Sequence, residues 1–265
     1  MGCSSLSQRE EEKKKGDAYF AYGSNSLVEK DYSLAIKNFL KALEFIPEDS
    51  RLHNNLGMAY HFKGRNNLAM RHLEKAMALD KKNSDARNNL ASLYFQQKEL
   101  QKAEKLYQEV LEDLTYEEVF RTYYNLGLIG LEKKNKQQAR DFFQKSLGAN
   151  ENYCPSHFQL GILNLEEGEY KQAITNFKDS SLGTCYDSPW PVYYLGLTYY
   201  KMGNKKSSQA KFKELSERFK EKKFQELAGD YLMRLEAPME QNGHSETKGW
   251  KTIGSGYRGS EEINF

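Results

Sequence analysis

The stretch NLGLIGLEKKNKQQARDFFQKSL occupies residues 125–147 and carries three landmarks: Leu126-Gly127, Ala139 and Phe143. Each landmark belongs to a series that runs along the chain. The Leu-Gly pair, or a close relative, stands at Tyr22-Gly23, Leu56-Gly57, Leu90-Ala91, Leu126-Gly127, Leu160-Gly161 and Leu195-Gly196. The second series is Ala35, Ala69, Ala103, Ala139, Ala173 and Ser208; the third is Phe39, Leu73, Tyr107, Phe143, Phe177 and Phe212. All three advance by 34, 34, 36, 34 and 35 residues, so one unit is repeated six times. A repeat of this period that cannot bury its own apolar face gains its stability by stacking on its neighbours. The small residue after the leucine lets two helices approach closely. The aromatic of the third series is expected to fill the space against the next repeat.

These positions resemble the tetratricopeptide repeat, a helix–turn–helix unit of about 34 residues. The resemblance covers roughly residues 16 to 222 and implies an all-α, right-handed superhelix of six helix pairs. Beyond it, residues 224–235 are apolar at helical spacing and predict a C-terminal capping helix, which Pro238 ends because proline cannot continue a helix. Three segments follow: a polar tether over 1–15, the repeat domain over 16–236 and a disordered tail over 237–265. Trp250, Ile253 and Phe265 in that tail could form a short linear motif, although an unstructured tail is the plainer reading.

Composition agrees and excludes several functions. The 265 residues carry 39 Lys+Arg against 37 Asp+Glu, a net charge of +2 with both signs interspersed. Nucleic-acid binders concentrate a basic surplus on one face, so no nucleic acid is expected as partner. No stretch reaches the roughly 18 apolar residues of a membrane span. No Gly-rich phosphate loop and no Cys/His pair at metal-ligand spacing occurs, so no cofactor, metal, small-molecule substrate or enzymatic activity is expected. His53 and His157 share an interior-facing repeat position and read as packing residues. His61 and His72 have no acidic or Cys partner at ligand spacing.

The repeat resemblance also implies a binding surface, because helix A of each unit lines a concave face with its second, fifth, ninth and twelfth positions. Those positions hold Arg51, Asn54 and Asn88 in the early units, then Tyr124, Leu128, Phe158, Ile162, Tyr193 and Leu197. The expected groove starts polar and turns apolar and aromatic, and a contiguous apolar patch marks a protein-binding site. Some of these side chains must also pack between repeats. Repeat proteins that clamp a C-terminal carboxylate use lysines beside their groove asparagines; no lysine accompanies Asn54 and Asn88, so no such clamp is expected.

The chain opens Met1-Gly2-Cys3-Ser4-Ser5. Gly2-Cys3 resembles the end of a bacterial lipobox, which implies a lipid on the Cys3 thiol, and the serine after it is the residue usual on outer-membrane lipoproteins. This reading expects a signal segment upstream of the given sequence. N-myristoylation at Gly2 with palmitoylation at Cys3 is the rival, and it wants Ser or Thr where Leu6 stands. Cys154 opens the fifth unit and Cys185 follows its second helix, which places both at one end of an antiparallel pair. They are either a disulfide, which implies an oxidising space such as the periplasm, or two independent buried thiols.

A six-unit array behind a short tether from a lipid-bearing cysteine resembles the PilF/PilW/Tgl family, the pilotins of type IV pili. The irregular step sharpens this: two extra residues stand around Asp113 to Val119, where that family has a similar insert. Asn125 to Ile129, Ala139 to Leu147, and Asn88-Asn89 before Tyr94 are also similar to it. The resemblance implies a non-enzymatic protein, lipid-anchored on the periplasmic face of the outer membrane, that escorts a secretin subunit there and promotes its assembly. A generic cytosolic tetratricopeptide scaffold is the alternative.

Overall fold

The computed structural model describes residues 2–236, with side chains from Ser7 onward except that of Thr184. The tail over 237–265, and the side chain of Cys3, lie outside the described residues. The chain divides at Tyr116 into two compact units. The first holds α1 (Gly2–Val28), α2 (Tyr32–Leu43), α3 (Ser50–Phe62), α4 (Asn66–Leu79), α5 (Ser84–Gln96) and α6 (Leu100–Leu111). The second holds α7 (Val119–Glu132), α8 (Lys136–Ala149), α9 (Cys154–Glu166), α10 (Tyr170–Asp179), a 3-10 turn at Gly183–Cys185, α11 (Pro189–Lys201), α12 (Lys205–Arg218) and α13 (Lys222–Glu236). Each unit is thus three helix pairs, and α13 is the expected capping helix. No strand occurs among the described residues.

The helix pairs form because each turn between helix A and helix B is closed in the same way. Lys30, Gly64, Lys98, Lys134, Gly168 and Gly203 all have a positive φ, between 59° and 79°. They recur at the same steps as the sequence landmarks. In the fourth pair Lys134 N–H donates to the Leu131 carbonyl at 2.9 Å and Asn135 N–H to the Gly130 carbonyl at 2.8 Å. That pair of bonds satisfies carbonyls a helix end would leave unpaired, and it requires one left-handed residue between them. In three of the six pairs helix B then starts on a side-chain cap: Asp31, Asn135 and Asn204 each accept a backbone N–H of their own first turn, while Arg65, Glu99 and Glu169 provide none.

Packing within a pair turns on the small residue after leucine. A Cβ on Gly127 would come within 2.4 Å of the Phe143 ring, and one on Gly161 within 2.6 Å of Phe177. The third-series aromatic therefore fills space over the glycine of its own pair, which the sequence reading did not assign to it. The expected contact to the next helix A exists as well. Phe177 stacks on Tyr194 at 5.4 Å, and Phe212 on Tyr231 of the capping helix at 4.6 Å. Burying such a ring fully contributes roughly 1.5–3 kcal/mol, which makes this column the main cohesive element of each unit.

One boundary differs from expectation. The stretch read as a tether is helical, and α1 runs 27 residues without a break. Gly16 marks where it docks: a Cβ there would meet Ile46 at 2.9 Å. Residues before it are polar or charged, and exposed, from Ser7 to Lys15.

Candidate functional site

The helix A faces place the nine expected groove residues as follows. In the first unit Arg51 is exposed, bonded through its guanidinium to the Asp49 carboxylate at 2.6 Å and lying 5.5 Å over the Phe20 ring. Hydrogen bonds to Arg51 and to two backbone N–H groups outweigh burial and hold the Asp49 carboxyl below its ordinary range. Asn54 is buried; its oxygen accepts from the Asn89 amide of α5 at 2.9 Å. Asn88 is buried too, and its carbonyl accepts from the Ser92 hydroxyl at 3.1 Å. The Asn54–Asn89 bond is a joint between neighbouring helix pairs.

In the second unit the expected apolar positions are mostly filled by their own neighbours. Tyr124 lies against Phe143 and Tyr153; Phe158 against Phe177 and Tyr194. Tyr193 is 1% exposed and touches Trp190, Tyr194, Phe212 and Tyr231. Burial raises its hydroxyl pKa far above the ordinary value, and that of Tyr194 likewise. Leu128 and Leu197 are 5% and 4% exposed. Only Ile162 is partly open. The surface these side chains leave to a partner is therefore narrow, and Ile162 is its accessible apolar point.

Cys154 and Cys185 are bonded, with their Cα atoms 6.2 Å apart. The bond ties the start of α9 to the 3-10 turn that follows α10. The same turn is held from the other side by Arg218, which donates to the Tyr186 carbonyl at 2.9 Å and lies 4.5 Å over that ring.

Sequence reasoning missed a set of side chains that fix the loops between pairs. His53 reaches the Pro47 carbonyl at 3.1 Å, Arg87 that of Lys81 at 2.5 Å, and His157 that of Glu151 at 2.9 Å. Each spans six residues back and also touches its own helix B. His53 meets His72 at 2.9 Å, Arg87 meets Glu109 at 3.3 Å, and His157 meets Asn176 at 3.2 Å. The equal offset from the Leu-Gly pair was the available signal, but three different residue types hide it. A carbonyl can only accept, so His53 carries its proton on Nε2 and its Nδ1 accepts from His72. Burial, and then the neighbouring His53, push the His72 pKa down to about 4. An open cleft of about 740 Å³ beside His53 lies between Lys13 and Asp17 of α1, Ile46 and Glu48 of the loop between α2 and α3, and Lys75 of α4. No group of three or more His, Cys, Asp or Glu side chains that could hold a metal occurs among the described residues. No helix among them is long and apolar enough to cross a membrane.

Six such helix pairs, with the Gly-over-ring contact in each half, define a repeat scaffold, and the chain belongs to the tetratricopeptide-repeat proteins. Tetratricopeptide repeat matches cover residues 50–83, 84–152 and 192–221. Within that class it is similar to the type IV pilus assembly protein PilF of Pseudomonas aeruginosa, 31% identical over 157 residues. The match spans 59% of this chain and 62% of PilF, less than two thirds of the relative. The structure of Pseudomonas aeruginosa PilF superposes with a TM-score of 0.70 over 84% of this chain and 99% of that one, at 24% identity. PilW, a type IV pilus biogenesis factor, superposes at 0.69 over 82% and 98%, at 16% identity. A chain of the APC/C Cut9–Hcn1 hetero-tetramer superposes at 0.73 over 88% of this chain and 45% of that one, at 18% identity. The fold is thus common to pilus and non-pilus proteins, and the distinction rests on the sequence identity to PilF.

Proposed function

We propose that this chain is a non-enzymatic outer-membrane lipoprotein of type IV pilus biogenesis that binds a secretin subunit and promotes its assembly. The observation that carries the reading is the 31% identity to PilF over 157 residues, the longest of the matches above 30%, with PilF and PilW superposing along nearly their whole length. The Cys154–Cys185 bond supports an oxidising compartment such as the periplasm. Lipid on Cys3 would supply the anchor, since two or more acyl chains at about 0.8 kcal/mol per buried methylene hold a protein to a bilayer. The helix A face of the second unit would hold the secretin segment, with Ile162 to bury apolar surface.

Deleting the gene in its own organism tests the reading. The secretin should then persist as monomer and leave the outer-membrane fraction, and the complete precursor should restore the detergent-resistant multimer. Replacing Cys3 by alanine in that precursor should leave a folded, soluble protein. Unchanged secretin multimers in the deletion strain would sink the proposal.

A further inference from the structure

The turns between helices A and B of the first two repeats carry an apolar patch. Val28 ends α1 and is 82% exposed; Phe62 stands at the same repeat position, at the end of α3, and is 39% exposed. Leu34 and Leu68 share a second repeat position, in the first turns of α2 and α4, and are 42% and 38% exposed. Tyr32 stacks on Phe62 at 4.8 Å and joins the two repeats into one surface. In the later repeats the first position holds Gln96, Glu132, Glu166 and Lys201, and the second holds Lys102, Gln138, Gln172 and Ser207. Repeat packing therefore does not require an apolar residue at either place. Four apolar side chains exposed together, where four further copies of the unit are polar, mark a surface made for contact.

The charges beside the patch identify what covers it. The first turn, Val28-Glu29-Lys30-Asp31, has a net charge of −1; the second, Phe62-Lys63-Gly64-Arg65, has +2. Glu29, Lys63 and Arg65 are exposed. A surface with an acidic and a basic half on either side of an apolar centre is complementary to itself under a two-fold rotation. That operation sets each copy's first turn against the other's second turn, as an isologous dimer demands. A lipid bilayer would match the basic half alone. We infer that this face, on the first unit, is a homodimer contact, with Val28 of one chain against Phe62 of the second copy and Glu29 against Lys63 and Arg65. The apolar part is small beside the roughly 800 Å² per partner of a standard interface, so the dimer is weak, on the order of 10–100 μM.

Sedimentation velocity on the full chain from 1 to 300 μM reads this directly. The wild type should shift from monomer to dimer across that range. Val28→Glu and Leu34→Glu, both at exposed positions, should keep the helical spectrum and weaken the dimer at least tenfold. Glu29→Lys alone, and Lys63→Glu with Arg65→Glu alone, should each be monomeric at 100 μM. Mixed together they should dimerise again, because both charge contacts are then opposite in sign. A wild type that stays monomeric at 300 μM would overturn the inference, including one that instead sediments with phosphatidylcholine–phosphatidylserine vesicles. So would a dimer indifferent to Val28→Glu, or a mixture that is not restored. Secretin assembly in the deletion strain is a separate readout, so this contact can fail while the pilus reading stands.

Discussion

At three of the six helix-to-helix turns the left-handed residue is a lysine, Lys30, Lys98 and Lys134, where the other three turns use glycine. The left-handed region costs an L residue roughly 1–2 kcal/mol, which glycine avoids while losing some unfolded-state advantage. Lys134 is exposed, so Lys134→Gly changes little besides the backbone. The variant should be more stable by about 0.5–1 kcal/mol in urea unfolding. Gly168→Ala, at a φ of +79°, should be less stable by a similar amount. Equal midpoints for both would show that the turns are not strained. A second prediction concerns His72, whose pKa burial lowers to about 4 from 6.5. The unfolded chain takes up a proton there before the folded one does. The stabilisation is complete above about pH 6.5 and is lost as pH falls from there towards 4. After a discount for partial exposure the loss is about 1–2 kcal/mol. Urea midpoints at pH 7.5 and 4.5 measure it, and His72→Gln should flatten the difference. An equal pH response in that variant would assign the effect elsewhere.

At the scale of elements, the disulfide joins a helix start to a turn that no helix pair covers. Its exposed Leu182 and Tyr186 bury little of their own surface, at 62% and 60% exposed. Closing a loop of 31 residues is worth about 3–4 kcal/mol in the chain-entropy model. Cys154→Ser with Cys185→Ser should lose that much stability while keeping the helical spectrum, and a reductant should do the same to the wild type. A reductant that leaves the urea midpoint unmoved would refute the contribution. The same elements show what was legible in advance. The Gly-Ala-aromatic series located all six pairs, because close helix approach restricts those positions to a few residue types. The capping helix was legible from its apolar spacing. The length of α1 was not, since Ser7 to Lys15 are polar and exposed and carry no apolar stripe. The loop clamps escaped because His53, Arg87 and His157 solve one problem with different donors.

For the whole molecule, the groove expectation assigned helix A more free surface than its side chains leave. Sequence spacing identifies a face; it does not say how much of each side chain the next repeat covers. Tyr124, Leu128, Phe158, Tyr193 and Leu197 were named for a partner, and each is nearly enclosed by its own chain. Their aromatic contacts in the second unit, such as Tyr193 with Phe212 and Tyr231, carry cohesion there. A partner that uses this face must therefore read its edges, and two substitutions separate cohesion from binding. Leu128→Lys places a charge where only 5% of the side chain is exposed, and should destabilise the chain by several kcal/mol as a buried unpaired charge. Ile162→Lys can turn its ammonium to water along a flexible stem, and should cost under about 1.5 kcal/mol in urea unfolding. If secretin is held on this face, Ile162→Lys should lower its co-purification at least tenfold with the fold intact. Binding at wild-type strength by folded Ile162→Lys protein would move the partner site off helix A of the fifth repeat.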